Sequence, residues 1–271
     1  LDGADLSTII TGENQTGVRQ WRDKSGNSRH VSQSIEGYQP TLVRNSLNGL
    51  PGLDWGSSSN GKGLSTSAQL VAAQVFAVAK YDGTNPFNTY ASIYCGDPSF
   101  FRPIFTGSSG TSWLGNVQNH LNGGAAAATA LPTISNPFIV RTANSNTSSA
   151  TRTVSYIGAD SAFYNGRSWI GKIYEIIIFP TILSAQDALK VEGYLAWKWG
   201  LYSVLLASHL YRFSPPKDNR YLKRRTRTIV ALAGASGGDL ITEPSEATFA
   251  FGGLSSFNML DNTEMTIGYN D

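Results

Sequence analysis

Trp113, Asn116, Gln118, Asn119, His120 and Asn122 place an aromatic plate, several side-chain amides and an imidazole in one short stretch. That is the chemistry a neutral sugar uses: CH groups stack on a ring face and hydroxyls pair with amides. Tight turns select the same asparagines, because a short amide side chain hydrogen-bonds its own backbone. The two readings stand side by side. The first makes Trp113, Asn116, Asn119, His120 and Asn122 candidate ligand-binding positions.

Asp23, Asn27 and His30 form a second group, a carboxylate, an amide and an imidazole that could hold a metal or a sugar. They flank Ser25-Gly26, and a turn that holds itself together by Asp and Asn side chains is the stronger reading. Glycoside hydrolysis needs two carboxyl groups about 5 Å apart in its retaining form, commonly from alternate residues of one strand. Glu175 stands between Tyr174 and Ile176, with Ile177 where the second carboxylate would be needed. The sequence contains no His-Glu-x-x-His pair and no phosphate-binding glycine loop. Histidines occur only at 30, 120 and 209, and Cys95 is the single cysteine, which excludes an intramolecular disulfide and a cysteine-rich zinc site. A non-enzymatic chain without a cofactor is expected. Calcium on loop carboxylates such as Asp82 and Asp97 has no support from spacing.

The elements that must position these groups are mostly strands. Charged residues make up 15% of the 271 positions and there are 28 glycines, which suits short strands joined by tight turns. Gln74 to Tyr81 and Ile173 to Phe179 are apolar nearly throughout, so each needs cover on both faces, and the two are expected to be neighbours or to face one another. Pro180 ends the second run. Ser184 then precedes Asp187 by three residues, a helix-start signature, and Ala188, Val191, Leu195 and Trp199 recur at helical spacing up to the stop at Gly200. Glu192 falls inside that apolar stripe, where it calls for a basic partner at the rim. Trp197 falls on the opposite face, where it would lie on a neighbouring loop or serve as a docking plate.

Trp21, Asp23, Ser25-Gly26-Asn27 and His30, then Gln39-Pro40-Thr41 and Leu47-Asn48-Gly49-Leu50-Pro51, resemble the laminin-G-like branch of the concanavalin A-like superfamily. GKIYEIIIFPTILS leading into VEGYLAWKWGL is similar to that family's closing segment, and His209-Leu210-Tyr211 before Pro215-Pro216 is similar to its His-Pro-Tyr ending, with Leu210 in place of Pro. The resemblance covers about residues 1 to 216. It implies an all-β fold: a concanavalin A-like, laminin-G-like jelly-roll sandwich with one C-terminal amphipathic helix and a β-rich C-terminal extension. Such domains occur in lectin-like modules, bacterial surface proteins and phage virion proteins, so the resemblance constrains fold far more than activity.

Three segments are expected: a sandwich over 1–216, a basic linker over 217–227, and a β extension over 228–271 for docking or assembly. The linker holds Lys217, Arg220, Lys223, Arg224, Arg225 and Arg227 against Asp218. The extension holds six acids and no Lys or Arg, and so short a segment buries little core by itself. Trp197, Arg220, Tyr221, Lys223, Arg224 and Arg225 are the candidate docking residues. The formal net charge of +2 gives no global argument for nucleic acid, and no apolar run reaches the roughly 18 residues of a membrane span. The chain opens at Leu1 rather than Met, so its original beginning is expected upstream. The leading expectation is a bacteriophage capsid-surface or tail-fibre component on the virion surface, with other virion proteins or copies of itself as partners. The alternative is a carbohydrate-binding adhesion module of a larger bacterial surface protein, extracellular or on the cell surface, with glycans as partners.

Overall fold

The computed structural model describes residues 1–58, 61–84, 91–96, 104–105, 113–114, 117–127, 130–144, 153–159, 167–216, 246–251, 254–260 and 265–268. The chain divides into two compact units, Leu1–Phe213 and Ser214–Asp271.

The first unit is built on two large antiparallel sheets. One has six strands, in the order β1 (Ile9–Thr11), β2 (Val18–Trp21), β3 (Val31–Ser32), β6 (Leu64–Val71), β15 (Thr153–Ile157) and β9 (Tyr94–Cys95). The other has seven: β13 (Gly124–Ala125), β12 (Val117–Leu121), β14 (Pro137–Asn144), β7 (Gln74–Tyr81), β16 (Gly171–Phe179), β5 (Leu50–Asp54) and β4 (Thr41–Leu47). A short third sheet joins β11 (Trp113–Leu114), β10 (Ile104–Phe105) and β8 (Ala91–Ser92). Helix α1 (Ala185–Trp199) follows β16. The expectation of an all-β chain with one amphipathic helix is met.

The two apolar runs are adjacent strands. β16 pairs with β7 along its length, from Gly171 opposite Tyr81 to Phe179 opposite Gln74. Their inward residues, Ile173, Ile176, Val75, Ala77 and Ala79, share one core with Val18, Trp21, Val31, Leu64, Val154 and Ile157 of the six-stranded sheet. Their outward residues, Tyr174, Phe76 and Val78, join Ile139 and the helix residues Ala188, Leu195, Ala196 and Trp199 in a second core. The seven-stranded sheet is therefore covered twice, by a sheet and by a helix. This is why its central strands lack the polar alternation of a half-wet sheet.

Local chemistry sets the boundaries. Ser184 caps α1 by accepting the Asp187 backbone N–H at 3.1 Å and donating its hydroxyl to the Asp187 carboxylate at 2.7 Å. Gly200 ends it at φ 72°, a left-handed conformation that glycine takes without a Cβ penalty. Asn48 and Gly49, both at positive φ, turn β4 into β5 as a two-residue hairpin loop does. The Asn48 amide also donates to the Trp199 carbonyl near the helix end.

One irregularity has chemical consequences. The β16–β7 register shifts between Ile173 and Glu175, and this bulge sends Tyr174 and the Glu175 carboxylate both toward the helix, after which Ile176 returns to the inner core. The second unit contains an antiparallel sheet of β17 (Glu246–Phe251), β18 (Leu254–Leu260) and β19 (Met265–Gly268). These three strands fall within the β extension expected over 228–271, and the basic run at 217–227 lies outside the described residues.

Candidate functional site

A cleft of about 590 Å³ lies alongside β16 in the first unit. β5 accompanies β16 only at Lys172 and Ile173. Leu1–Gly3 then takes over that edge: Gly3 N–H donates to the Tyr174 carbonyl at 2.8 Å and Ile176 N–H to the Leu1 carbonyl at 2.9 Å. Past that point Ile177, Ile178 and Pro180 line the cleft, with Leu70 and Val71 contributing further apolar wall. The Asp23–Arg29 turn and Gln69 supply polar lining, and Asp2, Glu175 and Tyr194 complete it.

The turn is built as its residue types dictate. Asp23 accepts the Ser25 N–H at 2.9 Å, the Ser25 hydroxyl at 2.6 Å and the Arg29 N–H at 3.1 Å. His30 Nδ1 accepts the Asp23 N–H at 3.1 Å. Asp23 and His30 are thus structural, while Asn27 and Arg29, on the turn that Asp23 holds, are among the residues lining the cleft.

One of these lining residues, Glu175, is a buried carboxylate that meets a buried ammonium. Glu175 Oε2 accepts Trp199 Nε1 at 2.7 Å and lies 2.8 Å from Lys198 Nζ, and Oε1 accepts the Tyr194 hydroxyl at 3.2 Å. Lys198 Nζ also stands 2.6 Å from Asp2 Oδ1, while Lys24 Nζ bridges Asp2 at 3.0 Å and Asp5 at 2.8 Å. These environments push the carboxyls apart. Burial raises the Glu175 pKa, opposed by Lys198. Burial acts on Asp2 in the same sense, but Lys198 and Lys24 together hold it below the ordinary range. The hydrogen bond from Lys24, with help from Ser7, holds Asp5 near 2.

A second buried cluster lies on the same helix. Glu192 Oε1 accepts Arg141 Nε at 2.8 Å, and its other oxygen faces His209 Nε2 at 3.2 Å. Because His209 Nδ1 accepts the Tyr211 N–H, the neutral ring carries its proton on Nε2 and donates to Glu192. Glu192 does have its basic partner, but inside the protein rather than at the rim: its side chain is 1% exposed.

Of the sugar-binding candidates, Asn119, His120 and Asn122 lie within the described residues. Asn119 and His120 are consecutive on β12, so their side chains leave opposite faces of the sheet. His120 pairs across the ladder with Arg141, and Asn119 with Thr142. Asn122, at φ 50°, makes the β12–β13 turn with Gly123, and its Oδ1 accepts the Ile139 N–H at 2.9 Å. Turn chemistry has claimed it. Trp113 lies on β11, a strand of the short third sheet, its side chain outside the described residues together with all of Asn116.

Trp197 is not an open plate. Its indole stacks on Tyr202 with centroids 4.7 Å apart and 21° between planes, and Nε1 donates to the Tyr211 carbonyl at 2.7 Å. The chain's own segment after the helix lies there. Arg220, Tyr221, Lys223, Arg224 and Arg225 fall outside the described residues. Of the two loop carboxylates considered for calcium, Asp82 is engaged by Lys80 at 2.9 Å and Lys172 at 3.2 Å, and Asp97 lies outside the described residues. Among the described residues no group of three or more His, Cys, Asp or Glu is placed to hold a metal ion, and no helix is long and apolar enough to cross a membrane.

The cleft residues Asn27, Arg29, Gln69 and Tyr194 were not singled out together from the sequence, because they come from three elements that only the fold brings into register. No family model, curated protein or solved structure matches the chain.

Proposed function

We propose that this chain is a non-enzymatic virion structural protein, a bacteriophage capsid-surface or tail-fibre component that presents a laminin-G-like jelly-roll domain. The observation that carries this reading is the division of the chain after Phe213 into a compact two-sheet unit and a smaller unit with its own three-stranded sheet. A display domain joined to a short β segment suits attachment by one part and presentation by the other. The composition of the junction supports it, since the basic run 217–227 leads into a segment whose charged residues are all acidic. The partners are other virion proteins or further copies of this chain.

The test is the assembly itself. The full chain should co-purify with particles in fixed stoichiometry, and deletion of residues 217–271 should abolish incorporation while leaving the two-sheet unit folded. A soluble monomer that never associates with particles would refute the reading.

The second reading is a glycan-binding adhesion module, favoured by the cleft whose lining combines apolar residues with Asn27, Arg29 and Gln69. It requires that Arg29→Ala and Asn27→Ala reduce binding on a glycan array at least tenfold with unchanged folding. If Trp113→Ala alone abolishes binding, the ligand sits on the other candidate patch.

A further inference from the structure

Lys198, Asp2 and Glu175 form a buried triad whose chemistry goes beyond an ion pair. The three side chains are 8%, 12% and 5% exposed. Each is fixed by a different element: Lys198 by the last turn of α1, Glu175 by the β16 bulge, and Asp2 by its bridge opposite Glu175. Asp2 Oδ1 also accepts the Ala4 N–H at 3.0 Å. The rings of Tyr194 and Trp199 flank the ammonium, each centroid 5.5 Å from Nζ, so the site is walled by aromatic carbon.

We propose that Lys198 and Asp2 become joined by an intramolecular isopeptide bond, with Glu175 as the proton shuttle. The amine stands 2.6 Å from a carboxylate oxygen, and fixed elements hold it beside the carbon that it would attack, as a near-attack arrangement requires. Glu175 takes a proton from the ammonium and passes it to Asp2 Oδ1, which frees the nitrogen lone pair and makes the carboxyl neutral and electrophilic. Nζ attacks Asp2 Cγ and the C–N bond forms. Glu175 then takes a second proton from the nitrogen and delivers it to the Oδ1 hydroxyl, the Cγ–Oδ1 bond breaks, and Oδ1 leaves as water. Two of the three ammonium protons depart in that water and the third remains on the amide nitrogen. Glu175 ends as it began, and no oxidant or cofactor is involved. Lys24, 3.0 Å from Oδ2, steadies the charge that develops on the oxygen that stays as the amide carbonyl.

The surroundings favour the condensation. A buried ammonium and carboxylate have both lost their hydration, and the amide replaces two costly charges with one neutral group. The raised pKa of Glu175, caused first by burial, suits a group that must hold and return a proton. The product would tie the N-terminal segment to the helix that closes the sandwich, a covalent lock across most of the first unit.

Intact mass of the folded full chain, measured after denaturation, tests this directly. The expected mass is lower than the sequence mass by one water, and a protease digest should yield a branched peptide linking Asp2 to Lys198. Lys198→Arg keeps the charge and should restore the sequence mass, with a fall in Tm on the order of 10 °C from the lost cross-link. Glu175→Gln, folded by circular dichroism, should link about 100-fold more slowly or more. A folded wild-type chain that retains its full mass through days at neutral pH would overturn the proposal. So would a lost water that maps to an Asp2–Gly3 succinimide without a branch, which has the same mass and a different digest.

Discussion

At the residue scale, the polar groups of the first unit are engaged more often than they are offered. Glu192 illustrates it: a carboxylate in the apolar stripe of a helix is visible in the sequence as a misfit, but Arg141 and His209, from a strand and from the segment after the helix, are not. Breaking such a pair leaves an uncompensated buried charge. Glu192→Ala should therefore cost about 3–5 kcal/mol in denaturant unfolding, and a loss under 1 kcal/mol would mean that the pair is solvated. His120 supplies a pH dependence. Burial lowers its pKa below 6.5, Arg141 adds to the effect, and Glu192 opposes it. The unfolded chain then binds a proton that the folded chain refuses, so stability is complete above pH 6.5 and falls as pH drops from 6.5 through the depressed value. His120→Gln should flatten that part of the stability profile, measured by chemical denaturation at several pH values.

At the scale of elements, local signals carried far. The β-branched run, the Pro stop, the Ser cap and the Gly stop of 171–200 each act within a few residues, so β16 and α1 could be placed from sequence, and the pairing of β16 with β7 follows from two strands that both need double cover. The bulge could not be placed. It depends on how Ile173 and Glu175 register against Ala79 and Val78, which is a property of the pair and not of either strand. Nor could the short amide-rich stretch be resolved, because Asn119 and His120 point one way or the other only once β12 has a partner. Close approach is the other hidden feature. Gly193 sits in α1 where an added Cβ would lie 2.6 Å from Tyr211 Cβ. Alanine normally favours a helix by about 1 kcal/mol over glycine, yet Gly193→Ala should destabilise by about 1–3 kcal/mol because the Tyr211 Cβ and ring, 2.6–2.9 Å from the added carbon, would have to shift. A gain in stability would show that the segment over the helix is loosely held.

At the scale of the whole molecule, where the chain may be cut follows from where the cores lie. Every buried residue of both cores falls between Val18 and Leu205, yet the sandwich does not end with the helix. Residues 202–213 lie over α1: Tyr202 stacks on Trp197, Tyr211 receives the Trp197 N–H, His209 faces Glu192 and Leu205 belongs to the helix-side core. A fragment ending at Phe213 should fold cooperatively, with its tryptophan fluorescence and denaturation midpoint close to those of the same unit in the full chain. One ending at Leu201 removes the partner of a buried carboxylate and uncovers Trp197 together, so it should lose several kcal/mol or aggregate on expression. If instead the 1–213 fragment is as unstable as the shorter one, the second unit contributes to the folding of the first, and the division between display and attachment fails with it. The two truncations therefore test the architecture on which the functional reading rests, without requiring that its partner be known.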